Sequence, residues 1–340
     1  MKAIRFHEYG GPEVLRYEEV AEPEIRKDEV LVRVRACALN HLDLWVRKGV
    51  GNVPLPHIPG SDVAGEVVRV GEYVDGIREG QRVLLAPMVY CGHCQFCVSG
   101  RQNLCKQFSV LGNRVDGGCR KLLPTRRDYL IPIPDSLSFE HAACVPLVFL
   151  TAWHMLVGRV GIRPGQTVLV WGAGSGIGSA AIQIVKLWGG RVIATAGDER
   201  KLSKARELGA DFTIHHYQQK VSEEVRRLTG GEMVDVVFEH VGQATWPESM
   251  RSLKPTGIIV TCGATTGPKV DIDLRFLYSR QLSYLGSYMG TMGELHDVLQ
   301  HVFSGRLKPV LDRTFLLADA RAAHERMEKS EMFGKIVLIM

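Results

Sequence analysis

Eight cysteines stand in the chain, and four of them follow the spacing Cys91-x2-Cys94-x2-Cys97-x7-Cys105. Four thiolates about 2.3 Å from a tetrahedral Zn2+ make a closed site, and CxxC turns bring successive sulfurs onto one ion. Reduced core thiols or a disulfide pair are the bland alternatives. Clustering of this kind, in a chain that reads as cytosolic, points to metal instead. With every valence filled by protein, such a zinc folds a lobe and leaves no position for a substrate. The spacing therefore predicts one structural zinc held by Cys91, Cys94, Cys97 and Cys105, with His93 exposed beside it.

A second chemistry-bearing run is Trp171-Gly-Ala-Gly-Ser-Gly-Ile-Gly178. Glycines between a strand and a helix let a phosphate approach backbone N–H groups at the helix's positive end. The literal GxGxxG is absent. The frame ending at Gly178 reads Ala173-x-Ser175-x-x-Gly178, with Gly172, Gly174 and Gly176 beside it. Set after an apolar strand, the run predicts a dinucleotide turn whose contacts are Ala173, Ser175, Gly176, Ile177 and Gly178. NAD sites end the next strand in a carboxylate that holds the ribose hydroxyls. Here that strand ends Ala196-Gly197, and Arg200 and Lys201 follow. Two cations suit a 2′-phosphate, so NADP is expected, with NAD as the alternative. Asp198 reads as the N-cap of the following helix.

The elements that position these residues fall into two groups. At roughly 150 residues per domain, 340 residues make about two domains. Val30, Val32, Val34 and Ala36 alternate with Leu31, Arg33 and Arg35, the period of a half-buried strand. Residues 1–148 continue as strands and turns with no convincing amphipathic helix. From Phe149 the pattern changes to a β-α rhythm. Six strands (168–171, 191–196, 212–215, 234–238, 257–262 and 282–287) alternate with helical segments such as 178–188 and 199–208. That order predicts an open parallel sheet with helices on both faces. Helices at 294–303 and 318–328 and a strand at 335–339 close the chain.

Composition excludes several classes. Hydrophobic residues at 45% and charged residues at 23% describe an ordinary globular chain. The longest apolar stretch, Ala142 to Trp153, has 12 residues against the roughly 20 a membrane span needs. A net charge of +5 from 42 basic and 37 acidic residues is too diffuse for a nucleic-acid binder. The charged amino terminus lacks a signal peptide's apolar region, so a cytoplasmic location is expected.

The cysteine lobe inside a β domain, followed by this nucleotide domain, resembles the medium-chain dehydrogenase/reductase superfamily. Further matches are Pro59-Gly60-Ser61-Asp62-x2-Gly65, Asp235-Val-Val-Phe-Glu239 with Gly242, and Gly334-Lys335. The resemblance covers essentially the whole chain. It implies an α/β protein: a GroES-like catalytic domain from residues 1–148 and 289–340, and a six-stranded Rossmann domain from 149–288. It also implies hydride transfer at a nicotinamide. His41 and Lys335 fall where the family places basic residues near the pyrophosphate. Thr151 falls beside the nicotinamide, and Gly263, Ser287 and Met289 fall at the strand ends that hold its carboxamide.

The departures bear on function. Zinc alcohol dehydrogenases of the family hold a second, catalytic zinc. At its three ligand positions this chain has Asn40, Ser61 and Leu147. Leucine cannot coordinate, and Asn and Ser are poor ligands beside thiolate and imidazole. These positions look like the zinc-independent quinone and enone reductase branch, so no catalytic zinc is expected. Asn40, Ser61 and Thr151 become the catalytic candidates. The expected reaction is hydride transfer from NADPH to a small hydrophobic enone, quinone or carbonyl. Leu42, Trp45, Leu147 and Tyr288 suggest the apolar lining. The rival readings are a zinc-dependent alcohol dehydrogenase with displaced ligands and a non-catalytic NADPH-binding protein. A homodimer or homotetramer is expected, with Leu282 to Tyr288 as its seam.

Overall fold

The alternating run becomes a ten-residue strand, β1 (Glu29–Ala38), in the computed structural model, which describes residues 1–340. Val30, Val32 and Val34 are buried, whereas Arg33 and Arg35 are exposed. The helix α1 (His41–Arg47) follows at once. It went unread because its inward face carries Asp43 and Arg47 beside Leu44 and Val46, so the apolar period of an amphipathic helix is broken. Then come β2 (Asp62–Val70), β3 (Arg82–Leu85), β4 (Leu122–Arg126) and β5 (Leu130–Pro132).

The change of pattern near residue 149 coincides with the helix α2 (Pro146–Trp153). The β-α series follows: β6 (Thr167–Val170), α3 (Gly176–Leu187), β7 (Arg191–Ala196), α4 (Glu199–Glu207), β8 (Phe212–His215), β9 (Val234–Glu239), β10 (Leu253–Thr261) and β11 (Ser283–Gly286). All six strands run parallel in the order β8-β7-β6-β9-β10-β11. Every residue of β6 is buried, as its unbroken apolar run requires of a strand covered on both faces. Asp198 caps α4 by accepting the Lys201 N–H at 2.8 Å. The chain leaves that helix through Gly209 at φ +104°, a left-handed position suited to glycine.

After α5 (Met292–Phe303) the chain returns to the first sheet through β12 (Leu311–Leu316), α6 (Ala320–Glu328) and β13 (Lys335–Ile339). That sheet has the order β12-β13-β1-β2-β3-β5, with β4 also pairing β1. Its core gathers Val30, Val32, Val63, Leu85, Leu123, Ile336 and Leu338. The chain thus divides into one compact unit of residues 1–147 and 309–340 and another of 148–308. Residues 289–308, expected with the first domain, belong to the second unit. The reason is visible in α5, which buries Leu295, Val298, Leu299 and Val302 and sets Glu294 2.8 Å from His154. Beyond it, the Lys308 N–H donates to Gln183 of α3. No helix is long and apolar enough to cross a membrane.

A buried cation ties α1 to α6. Arg47 is fully buried and donates to the Gly10 carbonyl, to Glu328 and to Nδ1 of His324 at 3.1 Å. Arginine has no acceptor, so His324 Nδ1 must accept and its ring is neutral. Burial, helped by the Arg47 charge, pushes His324 down to about 3. Unfolded, the imidazole titrates near 6.5. Between those values the unfolded chain binds a proton that the folded chain refuses, so this term favours unfolding as pH falls below about 6.5. Urea unfolding should therefore show stability lost from pH 6.5 to 4. His324→Gln, which keeps an acceptor and does not titrate, should flatten that slope by up to about 1.4 kcal/mol per pH unit.

Candidate functional site

Three groups of side chains in the two units could carry chemistry. The first is the cysteine lobe. All four sulfurs lie within 4.8 Å of one another, with Sγ–Sγ distances of 3.8 Å for Cys91–Cys97, 3.5 Å for Cys94–Cys97 and 3.6 Å for Cys91–Cys105. A regular tetrahedron with metal–sulfur bonds of 2.3 Å has edges of about 3.8 Å, so the cluster fits a zinc ion. Burial pushes the Cys97 thiol up to about 12, whereas the backbone N–H of His93 holds Cys91 down to about 6. Four thiolates so close together need a cation to stay deprotonated. The His93 ring is exposed and bonds the Cys91 carbonyl at 2.9 Å, outside the cluster.

Three of the other four cysteines are engaged elsewhere. Cys37 Sγ lies 3.8 Å from Cys119 Sγ, and Cys144 donates to the Glu140 carbonyl. His57 bonds the Gly112 carbonyl.

The second group is the glycine turn. Gly172 has φ +60°, and a Cβ at Gly178 would come within 2.3 Å of the Gly172 carbonyl oxygen, so only glycine closes the turn. Ser175 caps α3 by accepting the Gly178 N–H at 2.9 Å. The N–H groups of Gly176 and Ile177, in the first turn of α3, have no acceptor within the helix and suit an anion. Ala173 is buried, its N–H bonding the Thr195 carbonyl across β7. Ala196 is buried at the end of β7, and Arg200 is exposed.

Lys201 lays its stem over Gly174, where a Cβ would meet its Cδ at 2.8 Å, and sets its ammonium 3.6 Å from Asp198. His216, which sequence reasoning missed, stands by the same strand ends and bonds Thr195 at 3.2 Å. Burial pushes it down to about 4, with His215 and Lys201 adding to the effect. Its signal, a His-His-Tyr run just past a predicted strand, was present.

Further on in this unit, Thr151 and Met289 are brought together. The Thr151 hydroxyl donates to the Met289 sulfur at 3.7 Å, and both residues are buried. Met289 sits at φ +52°. Ser287 follows β11 with a buried hydroxyl that has no hydrogen-bond partner, and Gly263 is pressed against the His240 carbonyl.

The third group lies in the first unit, where sheet register decides the geometry. Ala38 of β1 pairs with Asp62 of β2 on one side and Val337 of β13 on the other. Two residues further along the same edge are Asn40 and Lys335. Asp62 is fully buried and its carboxylate takes three donors: the Leu147 N–H at 2.8 Å, Asn40 Nδ2 at 3.0 Å and Lys335 Nζ at 2.9 Å. Lys335 also donates to Asn40 Oδ1 at 2.5 Å. Asp43 receives the backbone N–H groups of Asn40 and Gly60, and burial raises its carboxyl to about 6. Ser61 is fully buried and its hydroxyl has no partner.

Asn40 and Lys335 therefore set an amide and an ammonium on one oxygen of Asp62, with the Leu147 N–H on the other, and the ammonium holds the oxygens that a zinc ion would need. Sequence reasoning named Asn40, Ser61 and Lys335 but gave no role to Asp62, which joins Asn40 to Lys335. His41 opens α1 with its ring 6.4 Å from that of Trp45, and Leu42 packs against the small core of Phe6, Val46 and Val53.

Comparison with known proteins decides the family. Residues 26–135 match the alcohol dehydrogenase GroES-like domain and residues 176–304 the zinc-binding dehydrogenase family. An alcohol dehydrogenase of Geobacillus stearothermophilus is 32% identical over 99% of both chains. The chain belongs to the medium-chain dehydrogenase/reductase superfamily. A quinone oxidoreductase of Pseudomonas aeruginosa is also 32% identical, again over 99% of both chains. Among solved structures, one titled NAD-dependent alcohol dehydrogenase superimposes with a TM-score of 0.97 at 43% identity over the full length of both chains. As a medium-chain member the protein is an oxidoreductase acting on small molecules, with the GroES-like and Rossmann domains the sequence led us to expect.

Elemental analysis of protein purified without added metal should give one zinc per chain. Cys105→Ser should lower that value and loosen the lobe, read as faster proteolysis between residues 91 and 105. Full zinc retention in that variant would remove Cys105 from the ligand set.

Proposed function

We propose that this oxidoreductase reduces activated alkenes or quinones with NADPH and needs no catalytic metal. The observation that supports this reading is the Asn40–Asp62–Lys335 cluster, which takes in Asn40, one of the three positions where the resemblance places the ligands of a catalytic zinc. Oxidising an unactivated alcohol calls for alkoxide stabilisation, to which a Lewis acid contributes several kcal/mol. Hydride addition to a polarised C=C–C=O or a quinone needs only hydrogen-bond donors at the developing oxyanion.

Asn40 gives one N–H to Asp62 and keeps the other for a substrate oxygen. Ser61, with its unpartnered hydroxyl, is a second donor. When bound, NADPH supplies the hydride from its reduced nicotinamide. On this reading the first turn of α3 receives the pyrophosphate, with His41 as a further contact, and Thr151, Gly263, Ser287 and Met289 hold the nicotinamide. Arg200 and Lys201 receive the 2′-phosphate, supported by the absence of a carboxylate on Ala196 and Gly197 and by the engagement of Asp198 as a helix cap. The free edge of β11 is the proposed seam of a homodimer or homotetramer.

A second reading, NAD-dependent alcohol dehydrogenation, is favoured by the 43% identity to a protein of that title. Alcohol oxidation abolished by a chelator, with the fold intact, would establish it.

Two kinetic experiments test the first reading. With cyclohex-2-enone or 1,4-benzoquinone, kcat/KM should be at least tenfold higher for NADPH than for NADH, and Lys201→Ala should narrow the ratio. Equal values for the two cofactors would refute the assignment. Asn40→Ala should lower kcat about 100-fold, the usual scale for losing one oxyanion donor. Unchanged turnover would take Asn40 out of the chemistry.

A further inference from the structure

The resemblance assigns Lys335 to the cofactor pyrophosphate, but its surroundings suit another task. The residue is 4% exposed, and its ammonium lies between Asn40 Oδ1 at 2.5 Å and Asp62 Oδ2 at 2.9 Å. Asp62 Oδ2 also accepts Asn40 Nδ2, so amide, carboxylate and ammonium close a three-membered ring of hydrogen bonds. Turning the amide over would set its NH2 against the ammonium and its oxygen against the carboxylate, two repulsive contacts in place of two bonds. Only one amide orientation is therefore compatible with Lys335. A divalent cation would need the same oxygens that the ammonium holds, and the nearby thiols are engaged elsewhere, Cys144 on the Glu140 carbonyl and Cys37 against Cys119, with burial pushing Cys144 up to about 12.

We propose that Lys335 is a built-in cation that takes the place of a metal ion at this site. By holding Asn40 Oδ1, it keeps the second Nδ2–H as the one group of that side chain offered to a substrate oxygen. Lys335 is thus a positioning residue acting through Asn40, an inference that rests on the reductase reading for its catalytic consequence. Without the ammonium the amide can turn and present its oxygen, an acceptor, to a developing oxyanion. Lysine suits the task because its compact ammonium offers three rotatable donors on a flexible stem, whereas arginine's wider planar fork matches the ring less well.

The test compares Lys335→Met and Lys335→Arg with the wild type, using NADPH and cyclohex-2-enone. Lys335→Met should lower kcat about 100-fold and leave the Kd and KM for NADPH within twofold, and Lys335→Arg should restore part of kcat. A raised Kd for NADPH with kcat unchanged would make Lys335 a cofactor contact and overturn the proposal.

A measurement independent of turnover is the side-chain amide of Asn40 in 15N-labelled wild-type enzyme, assigned by its loss in Asn40→Asp. Its two N–H signals should be well separated and slow to exchange with solvent. Exchange as fast as that of exposed asparagines would overturn the lock, whatever the enzyme reduces. Slow exchange in an enzyme that turns over neither enones nor quinones would uphold the lock and remove only the reductase reading.

Discussion

The first unit is organised around a carboxylate that no water reaches. Burying Asp62 costs several kcal/mol unless its lone pairs are satisfied and its charge is balanced. Three donors from three separate stretches of chain do this: a side chain following β1, a side chain from β13 and the backbone N–H of Leu147. The two side chains can reach it only if β1, β2 and β13 are paired in the observed register. A shift of one residue in any of them would turn its side chains to the other face and leave the charge uncompensated. The ion pair is thus a check on sheet register as well as a feature of the site.

The same logic separates the two populations of cysteine. The lobe cysteines come from one short segment, where local turns bring the sulfurs together and a metal can hold them. Cys37 and Cys119 meet from positions 82 residues apart, packed against Gly60, where a Cβ would lie 2.6 Å from one sulfur and 2.7 Å from the other. They pack as small apolar groups in the core, and the contact with Cys119, together with burial, pushes the Cys37 thiol well up.

Much of the fold was legible for reasons of this local kind. The alternation in β1, the unbroken apolar run of β6, the cap at Asp198 and the stop at Gly209 each depend on neighbours a few residues away. The cysteine spacing and the glycine turn are equally local. What escaped has long range or mixed chemistry. The Lys335–Asp62 pair joins residues 273 positions apart, and only the pairing of β13 with β1 brings them together. The helix α1 hid because its buried side includes a carboxylate and a guanidinium. Residues 289–308 went to the wrong domain because their partners, His154 and Gln183, lie more than a hundred residues earlier. The resemblance to a family supplied candidate positions such as Asn40 and Ser61, but not the bonds between them.

The return of the chain to its first sheet has a consequence for how the protein is made. A ribosome releases residues 148–308 in full before β12 and β13 emerge, and that continuous stretch holds its own core. Until then the far half of β1, from Ala36 to Ala38, lacks its β13 neighbour and offers open backbone to any other strand. Asp62 meanwhile has no counter-charge from Lys335. The nucleotide fold is thus finished first, whereas the chemistry of the first unit waits for β13, which is translated after it. A nascent chain halted short of position 335 would carry a complete Rossmann sheet beside a half-built partner with a sticky edge.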